Sequence, residues 1–305
     1  MDFVILLLKQ NILMFLYLLI GYFLFRKKLI GISGSADIGR MLLHIVMPAA
    51  ILKAYMTSYS SERLVGLALS FLAALLALVL AILLSRIFFK KEQPIERFCA
   101  AFSNAGFIGI PLVQMTLGEE AVFYVSSFVA LLNILQWTYG VLILTGDSAV
   151  LTFRKLRTNP VILSFLGGLL LFFLPFRLPN LLTGMIGTLA AMNGPLAMIV
   201  LGTYLAQVPF RALFKDRIVY RCAFVRLILI PAFTVVLLAF FPAEYYTLKL
   251  AVLIAASAPV GSNVAIFAQL YGQDYTQAVK EICLSTLLCI ITLPLIIGLA
   301  GNILL

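Results

Sequence analysis

Charge is what this sequence has least of. Only 11% of its 305 residues are Asp, Glu, Lys or Arg, and 63% are hydrophobic, whereas a soluble domain carries roughly a quarter charged residues. A water-soluble globular fold is excluded. Histidine occurs once and cysteine four times, at Cys99, Cys222, Cys283 and Cys289, without paired or ligand-like spacing, so neither a metal site nor a disulfide framework is expected. The chain also lacks a phosphate-binding glycine loop, a Gly-x-Ser-x-Gly elbow and paired intramembrane aspartates. These absences argue against an enzyme and against any cofactor. The alternating ten-residue segments of a membrane β-barrel are missing as well.

What the chain does have is apolar runs long enough to cross roughly 30 Å of hydrocarbon as helices. Breaking it at polar, charged and Gly/Pro clusters predicts an all-α integral membrane protein of ten transmembrane helices. These spans cover 4–25, 38–57, 64–89, 97–117, 120–144, 160–176, 183–207, 217–241, 248–271 and 275–300. The first apolar stretch, Phe3 to Phe25, is too long for a signal peptide and runs into Arg26-Lys27-Lys28, so it is read as helix 1.

The formal charge of +10 would suggest nucleic acid in a soluble protein, but no nucleic-acid motif accompanies it, and its distribution follows the loops. Arg26, Lys27, Lys28, Arg40, Arg86, Lys90, Lys91, Arg97, Arg154, Lys155, Arg157, Arg211, Lys215 and Arg217 lie after spans 1, 3, 5 and 7, against Arg63, Arg177 and Lys249 on the opposite side. Basic loops stay cytoplasmic. The expected location is therefore the cell (inner) membrane, multi-pass, with both termini outside the cytoplasm and the loop after span 5 inside.

The two halves echo each other. Met47-Pro48 and Gly194-Pro195 lie 147 residues apart, and Gly118 and Gly272 lie 154 apart. An odd number of spans per half makes the second copy inverted, an arrangement associated with alternating access. The chain then divides into a first five-helix repeat (1–144), a cytoplasmic linker (145–159) and an inverted second repeat (160–305).

Spans 4 and 9 each carry a cluster of helix-breaking and polar residues within an apolar segment: Ser103-Asn104-Ala105-Gly106-Phe107-Ile108-Gly109-Ile110-Pro111, and Ser257-Ala258-Pro259-Val260-Gly261-Ser262-Asn263. Gly and Pro in one such helix can mean only a kink or close packing. Two at matching places predict broken helices whose exposed backbone faces a polar cavity. A half-helix that begins at such a break presents unpaired amides and partial positive charge, which suits a carboxylate. Asn104, Gly106, Gly109, Pro111, Pro259, Gly261, Ser262 and Asn263 are accordingly the candidate substrate-binding residues, with the two asparagines as donors.

These segments resemble the auxin efflux carrier family. Asn104 to Leu112, with Gly109-Ile110-Pro111-Leu112, and Pro259-x-Gly261 followed by Phe267-Ala268 and Tyr271 are similar to that family's two crossover segments. The family includes plant PIN-type auxin exporters and bacterial carriers assigned malonate or malate. The resemblance implies a five-plus-five inverted fold shared with sodium/bile acid symporters, with crossing spans 4 and 9. It also implies a transport domain of spans 3–5 and 8–10, a scaffold of spans 1, 2, 6 and 7, and homodimers. Where the plant exporters carry prolines, this chain has Ser103 and Val264, and its middle loop is short. The resemblance therefore implies a small organic carboxylate rather than auxin itself.

Other polar residues inside the spans have two readings each. His44 can meet a substrate carboxylate, carry a proton or be satisfied in the scaffold. Glu281 can couple transport to protons, pair with Lys280, or lie near the cytoplasmic surface. Arg226 can attract an anion or snorkel to the cytoplasmic face, and Asn133 and Gln136 can line the cavity or bond between helices. For function, the expectation is a secondary transporter, probed against an ion-coupled symporter, a passive anion channel and an intramembrane enzyme. Export of a monoanion from a negative interior gains about 2.3 kcal/mol per 100 mV without a coupled ion, so export by an elevator-type motion is the predicted direction. The expected partners are the small organic anion, the lipid bilayer and a second copy of the chain.

Overall fold

In hydrocarbon every backbone amide must find its acceptor within the protein, and this chain meets the requirement with helices. The computed structural model describes residues 2–147, 157–174, 178–207, 209 and 215–304. Among them, β-type pairing is limited to one isolated bridge. Most of the expected linker, with Arg154 and Lys155, lies outside the described residues, as do Arg177 and Arg211.

In chain order the helices are α1 (Asp2–Arg26), α2 (Ile32–Tyr55), α3 (Ser61–Phe88), α4 (Pro94–Ala101), α5 (Ala105–Leu117) and α6 (Glu119–Thr145), then α7 (Pro160–Phe173), α8 (Asn180–Gln207), α9 (Arg217–Ala239), α10 (Tyr246–Ser257), α11 (Asn263–Leu270) and α12 (Tyr275–Leu304). Six of these, α2, α3, α6, α8, α9 and α12, contain stretches long and apolar enough to cross a membrane. Part of α1, together with α5 and α7, forms shorter apolar helices. The apolar segments 97–117 and 248–271 each hold two helices, α4 with α5 and α10 with α11.

Local sequence explains the boundaries. The Ser60 hydroxyl accepts from the Arg63 amide at the start of α3, Asn159 Oδ1 accepts from Val161 and Ile162 ahead of α7, and Asp216 Oδ1 accepts from Ile218 ahead of α9. Gly118, between α5 and α6, and Gly272, after α11, both adopt positive φ (89° and 66°), a conformation that favours glycine. The prolines within helices also leave a mark. Widened π-helical turns at Leu42–Val46, Ala105–Gly109 and Val225–Leu229 end two residues before Pro48, Pro111 and Pro231. Proline removes a donor and crowds the carbonyl four residues back, and a widened turn relieves both effects. In α8 the chain turns at Met192 instead, three residues ahead of Pro195.

Two groups of helix contacts stand out, joined by further contacts of α1 with α5 and α12 and of α6 with α2 and α7. In one, α1 lies along α8, and α2 packs on α7 and α8. The contact between α1 and α8 is close: a Cβ on Gly21 would overlap the Ile199 carbonyl, and one on Gly202 would overlap that of Leu18. Gly168 of α7 likewise leaves room for the ring of Tyr55, as expected for small residues between membrane helices. In the other set, α6 packs on α3, α5 and α10, while α12 packs on α9, α10 and α11. The ends of α4 and α10 meet within this second set.

Candidate substrate site at the helix crossing

Between α4 and α5, and again between α10 and α11, the backbone leaves the helical conformation and the two gaps pair with each other. Phe102 and Ala258 are extended, and Ser103 and Val260 form an antiparallel bridge. The Asn104 amide donates to the Pro259 carbonyl at 2.7 Å, and the Gly261 amide donates to the Phe102 carbonyl at 3.0 Å. Ser285 Oγ of α12 accepts from the Val260 amide at 3.1 Å. Each gap thus supplies partners that lipid cannot. Gly261 keeps the bridge close, since a Cβ there would lie 3.0 Å from the Ser103 carbonyl oxygen.

Four helix ends converge here, and they differ in sign. α4 and α10 end at the crossing, so their last carbonyls carry partial negative charge. The side chain of Arg226, 1% exposed, reaches them from α9. Its Nη1 donates to the carbonyls of Ala100 (2.9 Å) and Ala101 (3.2 Å), and its Nη2 donates to that of Ala256. Arg226 therefore neither snorkels to a surface nor lines the cavity described below.

α5 and α11 begin at the crossing and turn their N-termini the other way. The amides of Ile108 and Gly109 both bond to the Asn104 carbonyl (3.0 and 3.2 Å), and those of Ala105 to Phe107 open the helix without an intrahelical acceptor. Beside them is a cavity of about 20 Å³ lined by Ser103, Asn104, Gly106, Asn133, Gln136, Gly261, Ser262 and Asn263, with Leu43 and Met47 of α2 closing it. Asn104 Nδ2, Gln136 Nε2 and Ser103 Oγ are buried and have no hydrogen-bond partner. Gln136 is oriented by Asn263, whose Nδ2 donates to Gln136 Oε1 at 3.1 Å. Asn133 Nδ2 is used within its own helix, on the Val129 carbonyl at 2.9 Å. The lining carries no acidic side chain. Donors that lack acceptors thus lie beside two helix N-termini, an arrangement whose chemistry suits an oxyanion. At about 20 Å³ the cavity has room for about one water, less than an organic anion needs.

The membrane transport protein family matches this sequence over residues 7–153 and again over 147–297, nearly its whole length. The chain belongs to that family. The auxin efflux carrier resemblance of its crossover segments is a resemblance to the same group. A protein of Rhizobium meliloti (strain 1021), named "Putative malonate transporter", is 29% identical to it over 214 residues. That match covers 66% of this chain and 65% of the relative, so it spans just under two thirds of the relative's length.

Not every candidate in this membrane transport protein gathers at the crossing. Gly109 and Pro111 serve packing: a Cβ on Gly109 would lie 3.4 Å from Ala255 Cα, and Pro111 lies against Gly194. His44 is exposed, with its Nδ1 2.9 Å from the Arg40 carbonyl oxygen of its own helix, while its neighbours Leu43 and Met47 reach the cavity. Glu281 is fully buried away from the cavity, beside Cys222. It accepts from Gln277 at 3.3 Å through Oε1, and Oε2 has no partner. Lys280 pairs instead with Asp216 at 3.8 Å.

Two contributors escaped the sequence reading. Ser103, counted in the span 4 cluster and as a departure from the plant pattern but not among the binding residues, supplies one of the unpartnered donors. Asn193, at the turn in α8, donates to the Gly106 carbonyl at 3.3 Å. The signal for Asn193 was its place beside Gly194-Pro195, a polar side chain at an interrupted helix.

Proposed function

We propose that this protein is a secondary transporter of small organic carboxylates of the malonate or malate type, binding them at the helix crossing between the N-termini of α5 and α11. The observation that carries this reading is the trio of buried donors without acceptors, Ser103 Oγ, Asn104 Nδ2 and Gln136 Nε2, around a cavity free of acids. The malonate name of the 29% identical relative favours the same substrate class. In this reading ten membrane crossings form two inverted repeats, 1–144 and 160–305, joined by a cytoplasmic linker at 145–159, with both chain termini outside the inner membrane. α3–α6 and α9–α12 form the transport domain, and α1, α2, α7 and α8 form the scaffold of a homodimer. The transport domain moves like an elevator, and Met47 is withdrawn from Gly106 as the cavity opens.

The direction proposed is export, driven by the membrane potential. The runner-up is ion-coupled symport. Its support is Glu281, a buried carboxyl with one unpartnered oxygen, which is a suitable proton carrier on the moving domain. Flux of labelled malonate in proteoliposomes under imposed potentials of either sign tests both. Electrogenic export predicts flux that reverses with the potential and ignores a pH gradient. Flux that follows the pH gradient and is lost in Glu281→Gln supports the runner-up, and flux indifferent to both removes the electrogenic reading. Saturation with counterflow separates a carrier from a passive anion channel.

A further inference from the structure

Among the described residues four cations have carboxylate partners: Arg40 pairs with Asp37, Lys53 with Glu119, Arg63 with Glu120 and Lys280 with Asp216. Three others share one hollow. Arg86 near the end of α3, Lys91 in the connection that follows, and Arg97 in α4 converge on a hollow of about 530 Å³ at one end of the molecule. None of the three has an ion pair among the described residues. One acid, Glu92, shares the lining, and it too is unpaired.

The hollow is built rather than frayed. The turn carrying Lys91 is closed by reciprocal bonds, the Lys90 amide donating to Gln93 Oε1 at 3.0 Å and the Gln93 amide to the Lys90 carbonyl at 3.1 Å. Tyr139 of α6 holds both arginines. Its ring lies 5.2 Å from the Arg86 guanidinium carbon, and its hydroxyl accepts from Arg97 Nη2 at 3.4 Å. Arg97 Nε is buried with no partner. The volume falls within the range of about 300–1,000 Å³ common to small-ligand sites.

The surroundings define the ligand. Leu142 and Ile143 form an apolar wall. Next to Arg86, α3 presents Leu76, Val79, Leu83 and Ile87 as a continuous exposed apolar stripe at the three- and four-residue spacing of one helix face. A free anion would use the cations and ignore the stripe. A molecule with a phosphate at one end and acyl chains at the other would use both. We infer that this hollow is a binding site for the phosphodiester headgroup of an anionic phospholipid, with Arg86, Lys91 and Arg97 around the phosphate and the acyl chains along α3. The site lies on α3, α4 and α6, at the root of the helix that enters the crossing, so an occupied site ties that set of helices to one leaflet.

The test is lipid binding by the purified full chain in detergent, read by native mass spectrometry and by thermal unfolding. The probes are phosphatidylglycerol, phosphatidylcholine and inorganic phosphate. The variant R86Q/K91Q/R97Q is compared with R26Q/K27Q/K28Q, which removes the same charge from another loop. The inference expects phosphatidylglycerol binding to weaken about a hundredfold in the first variant and by less than about threefold in the second. If loss of Arg97 prevents folding, R86Q/K91Q alters two exposed side chains and is expected to lose about tenfold. Equal weakening in both triple variants, no weakening in either, or inorganic phosphate stabilising the wild type as well as the lipid does would overturn it.

Discussion

The two faces of the helix crossing are made from the same ingredient and treated in opposite ways. On one face α4 and α10 end, and the protein supplies its own counter-charge, with Arg226 bonded to the carbonyls of Ala100, Ala101 and Ala256. On the other face α5 and α11 begin, and the protein supplies donors without acceptors at Ser103, Asn104 and Gln136. A broken helix always creates one end of each sign. Here the negative ends are closed by structure, and in the proposed reading the positive ends take the ligand, so mutations on the two faces should separate stability from binding.

The largest expected effect is on the carbonyl face. Arg226→Met removes the donors of three buried carbonyls, each worth about 1–3 kcal/mol when left unsatisfied. Allowing for partial relaxation, the loss should be about 3–5 kcal/mol, read as a lowered unfolding temperature in detergent. Arg226→Lys retains the charge without the planar fork and should fall between. An Arg226→Met protein as stable as wild type would show that the carbonyls are satisfied some other way.

Asn104→Ala should do the reverse. Because Asn104 Nδ2 has no partner, its removal should shift stability by less than about 0.5 kcal/mol, while carboxylate binding weakens by about 1–3 kcal/mol, the value of a donor to a charged acceptor. Calorimetric titration with malonate, set beside the unfolding temperature, checks both halves. A variant that unfolds early and binds normally would invert the assignment of the two faces. Gly106→Ala acts at the same site by space rather than by donors. A Cβ there would lie 2.6 Å from Met47 Cε, so the methionine end must shift within the cavity or the helices must part, with an expected binding loss of about 1–3 kcal/mol.

Much of this architecture can be read from composition and punctuation, because hydrocarbon leaves a chain few options. The apolar runs mark the helices, the Gly, Pro and Asn clusters mark where 97–117 and 248–271 divide, and Gly118 and Gly272 sit where a positive φ is needed. Long-range pairing is what the linear order hides. That Asn104 bonds to Pro259, and that Arg226 reaches Ala100 and Ala256, depends on approaches between residues 30 to 155 positions apart, which no local periodicity encodes. Arg226 and His44 therefore looked alike in sequence, each a polar residue within an apolar span with both a ligand reading and a structural one. Three dimensions separate them: one is buried against three carbonyls and the other is exposed.

The smallest predicted effects concern motion between the two helix sets rather than either face. Lys53 of α2 pairs with Glu119 of α6 across the sets, whereas Arg63 of α3 pairs with Glu120 of α6 within one set. Both pairs are partly exposed, so neither should add more than about 0.2–1 kcal/mol to stability. If the sets move against each other during transport, only the first pair must break in each cycle. Lys53→Met should then change the malonate flux rate by up to about fivefold, and Arg63→Met should leave it within experimental scatter. Equal effects of the two substitutions on flux in proteoliposomes would argue that the sets stay together and that the cavity opens locally, at Met47.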